Sequence, residues 1–223
     1  MVGTGTPASC TEAVFDAALL TGGTIRFDCG PSPKVIVVSA PKAVTRDTSL
    51  EGEDLIVLSG DDKVGIIRVG PGVSFGLHHM TLTAGNGGPE GGGALFNDGG
   101  SLTVNTSTVS DNSAVQGSGS GGGVFNNAGT LTVRNSTFGQ NSAARAGGAV
   151  ETAGGNVVLF GVRLENNTTG ATPGNGGGLH AGGPATVNVA RSVVSGNSAS
   201  LEGGGLGNLG DVAKGLGGVF KRS

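Results

Sequence analysis

The chain has no Trp and no Tyr, and only 8 Phe in 223 residues. It lacks the aromatic platform on which single-stranded bases stack. Charge is scarce: Asp, Glu, Lys and Arg are 13% of the residues, 16 acidic against 13 basic, for a formal net charge of −3. The basic residues are scattered, with no stripe suited to a phosphate backbone, so nucleic acid is not an expected partner. Apolar runs stop at four residues, as in 35–38 (VIVV), far below the roughly 20 that cross a bilayer as a helix. No leader is visible behind Met1; the expectation is a secreted or cell-surface protein whose leader has been removed. Catalytic signatures are missing too: no G-x-S-x-G, H-E-x-x-H or C-x-x-C occurs, and the Gly-rich 117–123 is followed by no Lys.

What the chain has is glycine, 47 of it, and a repeat. Five octets recur at 75–82, 102–109, 131–138, 157–164 and 187–194, with starts 27, 29, 26 and 30 residues apart. Their first, third and eighth residues are apolar, as in Leu102, Val104 and Val109. The first two share a face at strand spacing. The odd step to the eighth demands a bend between them. Three residues after each octet stand Gly85, Asn112, Asn141, Asn167 and Asn197, and a Gly pair follows in each unit. A second inward column is read at Ala94, Val124, Ala149, Leu179 and Leu206. Each coil then holds about three short strands. Glycine at this density excludes helix, and units this short exclude propeller blades. A parallel β-helix remains, its rungs about 4.8 Å apart. Asn and Gly supply left-handed turns, and stacked Asn can bond along the column.

The units LTVNTSTVSDNSA…GGGVFNN and LTVRNSTFGQNSA…GGAV resemble the GGAI and FxxN repeats of polymorphic outer-membrane proteins, and Gly-rich right-handed β-helix proteins of bacteria more widely. The resemblance spans about residues 75–210. It implies an all-β, single-stranded, right-handed solenoid of the pectate-lyase-like kind, a handedness shared by parallel crossovers generally. It implies activity only weakly, since related β-helices include both polysaccharide lyases and non-catalytic adhesins.

Before the clear repeats, 35–38, 44–50, 55–58 and 65–69 read as looser strands, for seven or eight rungs in all. Residues 1–30 read as an N-terminal cap, 31–209 as the solenoid and 210–223 as a tail or second cap, within one structural domain. A helix is expected over 11–20, with Ser9 and Glu12 as a capping box. Cys10 and Cys29 flank it and are consistent with one disulfide.

Seven residues are candidates for chemistry. His78 takes the fourth octet position and should face outward beside His79, in a column with Asn105, Arg134, Phe160 and Ala190; His78 and Arg134 are then two rungs apart. Arg163 and Glu165 flank inward Leu164 and should form a surface ion pair. Glu151 and His180 are expected on adjacent rungs, where a carboxylate–imidazole pair can serve acid–base work. Asp61 and Asp62 stand at a turn and are weak Ca²⁺ candidates. On the family's pattern, lyases use Arg or Lys as base and several carboxylates around Ca²⁺; here the columns offer at most one carboxylate each. The leading reading is a scaffold or adhesin-like protein that contacts polysaccharide or another surface. The alternative is a polysaccharide lyase, hydrolase or esterase whose active face holds His78, His79 and Arg134, or Arg163, Glu165, Glu151 and His180.

Overall fold

A computed structural model describes residues 1–171 and 173–207; the 210–223 tail or cap lies outside them. The chain is a parallel β-helix. Its third side alone stacks seven strands, from Lys42–Val44 to Leu206–Gly207, giving about seven turns. The first side runs from Gly23–Arg26 up to Ala185–Ala190, and the second from Lys34–Val37 up to Val193–Ser195. On two lower rungs the first and second sides are one strand, Thr48–Ser59 and then Ser74–Thr83. Above these a corner splits them, as in Ser101–Asn105 and Thr108–Ser110.

The register follows the repeat. Phe75, Leu102, Leu131, Val157 and Val187 are vertical neighbours, all at most 2% exposed. The expected bend falls on the fifth octet position. His79, Thr106, Asn135, Gly161 and Arg191 all have left-handed φ, between 47° and 67°. One such residue flips the side-chain alternation, so Leu77 and Met80 both point inward although three apart. In three rungs the next residue is a buried Ser. Ser107 Oγ donates to the Asn105 carbonyl and accepts from Met80 N–H on the rung below.

The Asn column is not itself left-handed. Left-handed φ belongs to the residue before it: Ala84, Asp111, Gln140, Asn166 and Gly196. The Asn side chains turn inward and form a ladder. Asn112, Asn141 and Asn167 each donate Nδ2–H to the Oδ1 of the Asn above, at 3.0, 2.9 and 2.8 Å. The same oxygens accept backbone N–H from below. A second ladder, Asn97–Asn126–Thr152, follows the third side. Polar burial is tolerated because every rung supplies the next rung's partner.

The second inward column is shifted by one residue in two repeats: Leu95 and Val150, not Ala94 and Ala149, stack on Val124 and Leu179. The extra Gly of the three-Gly units conceals this. Residues 44–50 are not one strand either; Lys42–Val44 ends on the third side, and Thr48 begins the first side of the next turn.

Helix α1 (Glu12–Thr21) packs Phe15 and Leu19, one turn apart, onto the core. Burying each is worth roughly 2 kcal/mol. Its N-cap is Thr11, whose Oγ1 accepts from Val14 N–H, rather than Ser9, which belongs to a 3-10 turn (Pro7–Ser9). Glu12 therefore does not close a capping box. It reaches Lys42 on the third side at 2.5 Å, where Asp16 also binds at 2.8 Å. Cys10 and Cys29 form a disulfide, with Cα atoms 5.6 Å apart.

Candidate functional site

Beside the outward column that begins its strands (Ser74, Ser101, Thr130, Asn156 and Thr186), the first side has two further outward columns. One runs Thr24, Ser49, Gly76, Thr103, Thr132 and Val158. The other runs Arg26, Glu51, His78, Asn105, Arg134, Phe160 and Ala190. The expected His78–Arg134 column is therefore present, and Arg26 and Glu51 extend it downward. These two were invisible in the sequence because the lower rungs lack the octet pattern that sets the register.

The lower part of this face is hollow. A concavity of about 410 Å³ is lined by Asp47, Ser49, Ser74, Gly76, His78 and Thr103, among others. Gly76 forms its floor. A Cβ there would meet His78 Nε2 at 2.6 Å and Ser49 Oγ at 3.3 Å, so both polar groups project over the space a side chain would fill. Ser49 Oγ donates to Glu51 Oε1 at 3.3 Å, and Asp47 Oδ1 accepts from Ser74 N–H at 2.8 Å. Two rungs above His78, Arg134 Cζ lies 5.8 Å from the Phe160 ring, and Arg191 Cζ, from the rung above Phe160, lies 5.3 Å from it. Each contact contributes about 0.5–1 kcal/mol at an exposed site and holds the guanidinium in place.

The remaining candidates lie elsewhere. His79 sits on the left-handed bend, and its Nδ1 is 3.3 Å from Asp54 Oδ2. It does not share the His78 face, because the bend turns it toward the corner. Arg163 and Glu165 pair at 2.6 Å on the second side. Glu151 and His180 are directly opposed on the third side, with Oε2 and Nδ1 2.8 Å apart. Thus Arg163, Glu165, Glu151 and His180 cannot form one active face: two corners separate the pairs. The Glu151–His180 pair is also buried, its side chains only 3% and 6% exposed. Burial pushes the Glu151 carboxyl above its ordinary value, a shift that the His180 hydrogen bond opposes. Gly182 leaves room for the pair, since a Cβ there would lie 2.8 Å from Glu151 Oε1.

Asp61 and Asp62 take left-handed φ at a turn, and Asp61 is paired with Lys63 at 2.5 Å. Among the described residues no three His, Cys, Asp or Glu side chains converge as a cation would require. The two aspartates alone do not fit Ca²⁺, which takes six to eight oxygens.

Chemically, the first side offers hydroxyls, amides, a carboxylate, an imidazole, guanidinium groups and one ring, set at the rung spacing. That inventory suits hydrogen bonding and stacking against a long polar ligand. No family model matches the chain, and no curated protein or solved structure matches it either.

Proposed function

We propose that this protein is a non-catalytic, surface-binding solenoid that contacts polysaccharide through the outward face of its first side. The observation that carries the reading is the continuous column Arg26–Glu51–His78–Asn105–Arg134–Phe160 beside the Gly76 hollow. An extended glycan laid along the solenoid axis meets one polar or aromatic side chain per rung, about every 4.8 Å. A sugar unit is about as long as one rung is high. The Cys10–Cys29 bridge supports an oxidising, extracellular setting, in keeping with the resemblance to secreted and displayed β-helix repeats.

Affinity electrophoresis against a panel of plant, algal and bacterial glycans tests the reading. Phe160→Ala should weaken binding about tenfold, the 1–2 kcal/mol typical of a buried aromatic anchor. Thr108→Ala on the second side should change nothing. Equal loss from both substitutions, or from neither, would contradict this choice of face.

A second reading, an acid–base enzyme acting on polysaccharide, draws on the 2.8 Å Glu151–His180 contact. Its test is turnover on pectin, alginate, xylan and acetylated xylan. Activity abolished by Glu151→Gln while the variant remains folded at the assay temperature would favour the enzyme.

A further inference from the structure

Along the outward column, basic side chains recur on every second rung. Arg26 is followed two rungs up by His78, then by Arg134. Arg191 stands on the corner, as His79 does, but its longer side chain reaches back to this face, with Cζ 5.3 Å from the Phe160 ring; it adjoins Ala190, which stands two rungs above Arg134. The rungs between carry Glu51, Asn105 and Phe160, respectively anionic, neutral and aromatic. The basic period is therefore two rungs, about 10 Å. Ion pairs among the described residues engage Arg68 and Arg163, not Arg26, Arg134 or Arg191. Arg134, from the rung below, and Arg191, from the rung above, instead each approach the Phe160 ring. A guanidinium so held keeps its fork of N–H donors for an external oxyanion.

Resting on the reading that this face binds polysaccharide, we propose that its ligand is an anionic glycan carrying one acidic group per disaccharide. Alternate sugar units then place their acids over Arg26, His78, Arg134 and Arg191. The units between them lie over Glu51, Asn105 and Phe160, the last as an apolar contact. Glu51 supplies selection as well as contact. A glycan with an acid on every unit sets a carboxylate against Glu51 and finds no cation at Asn105 or Phe160, and like charges brought together disfavour the wrong partner.

The test uses the whole chain in affinity electrophoresis with three probes: hyaluronan, with one carboxylate per disaccharide; polygalacturonate, with one per residue; and neutral xylan. Hyaluronan should bind tightest, about tenfold over polygalacturonate, the order of one well-placed charged contact. Arg134→Gln and Arg191→Gln should each remove that advantage and flatten the salt dependence of binding, since each releases fewer counterions. Glu51→Gln should raise polygalacturonate binding toward that of hyaluronan. Arg163→Gln, on another side, should leave all three unchanged. Polygalacturonate binding as tight as hyaluronan, or affinities untouched by Arg134→Gln, overturns the charge-period proposal. Xylan binding equal to both, lost in Phe160→Ala, overturns it too but leaves the binding face standing. Failure of all three probes sinks the face and the proposal together.

Discussion

At the scale of single residues, the structure depends on groups that reach from one rung to the next. Asn141 makes four such contacts. Its Oδ1 accepts from Asn112 N–H and Asn112 Nδ2–H, and its Nδ2 donates to the Val109 carbonyl and to Asn167 Oδ1. Asn141→Ala leaves these buried partners unpaired and should cost about 3 kcal/mol or more. The readout is the denaturant midpoint at unchanged m-value. Gly122 is as constrained in the opposite sense. A Cβ there would stand 2.4 Å from the carbonyl oxygens of Gly148 and Ser142. Since neither is a flexible side chain, Gly122→Ala should lower stability by at least about 2 kcal/mol.

Glu151 gives a pH signature at the same scale. Its pKa is raised, mainly by burial and against the pull of His180. A raised folded-state pKa means that the protonated carboxyl is favoured in the fold. The resulting stability is full below the ordinary carboxylate value and is lost as pH rises through the raised one. Glu151→Gln removes the titration. The difference in melting temperature between Glu151→Gln and the parent should therefore widen in favour of the variant as pH increases from about 4 to 7. A difference independent of pH would show that Glu151 does not titrate differently on folding.

Among the elements, the N-terminal cap is the one built by different rules. The solenoid's lowest strand, Gly23–Arg26, pairs upward with Thr48–Ser59. Below it the chain supplies Val2, which bridges to Phe27, and the helix, which brings Phe15 within 5.9 Å of Phe27. An open lower edge would invite pairing with another chain. Two devices hold the cover on. The Cys10–Cys29 bridge spans 19 residues, worth about 3 kcal/mol by loop entropy. Lys42 binds Glu12 and Asp16. Its burial works to lower its pKa, but the two carboxylates outweigh that and hold it above its ordinary value. The Lys42 hydrogen bond is also the leading cause that lowers Glu12. A lowered carboxyl stabilises above its ordinary pKa and loses that contribution as pH falls through the folded value. Cap stability should thus weaken below about pH 4.5. Lys42→Met should remove most of that acid sensitivity, read by amide exchange at residues 23–26.

The sequence was legible for the solenoid strands and less so for the cap. The octets gave the vertical neighbours from Phe75 to Val187 because burial on every rung enforces one register. The lower rungs carry no such repeat, so Arg26 and Glu51 could not be aligned with His78. Ser9 and Glu12 have capping-box spacing, yet Pro7 starts a separate turn and Glu12 finds a better partner in Lys42, 30 residues on.

For the whole molecule, stability in a solenoid is close to a sum over rungs and their interfaces. Removing residues 102–130, one full repeat, joins Ser101 to Leu131, which already occupies the same column as Leu102. That deletion should still fold cooperatively, with a lower melting temperature measured by circular dichroism. Removing residues 102–114 takes away less than one turn, misaligns every column above, and should abolish folding. The full-repeat deletion also places Arg134 one rung above His78, so it should erase any preference for charges spaced two units apart.

By itself the sequence determined the coil: period, apolar spacing and glycine content leave no other way to bury the Leu and Val columns. It also determined that His78 and Arg134 share a face, since the octet fixes their common position. Only the tertiary structure decided which candidates meet. The left-handed residue at each corner redirects the chain, so His79 turns away from His78, and Arg163–Glu165 and Glu151–His180 end on different sides. Residues as unlike as His79, Thr106, Asn135 and Arg191 take the same left-handed corner, so no one residue type marks it, and for that reason the sides of the solenoid could be counted in the sequence but not assigned.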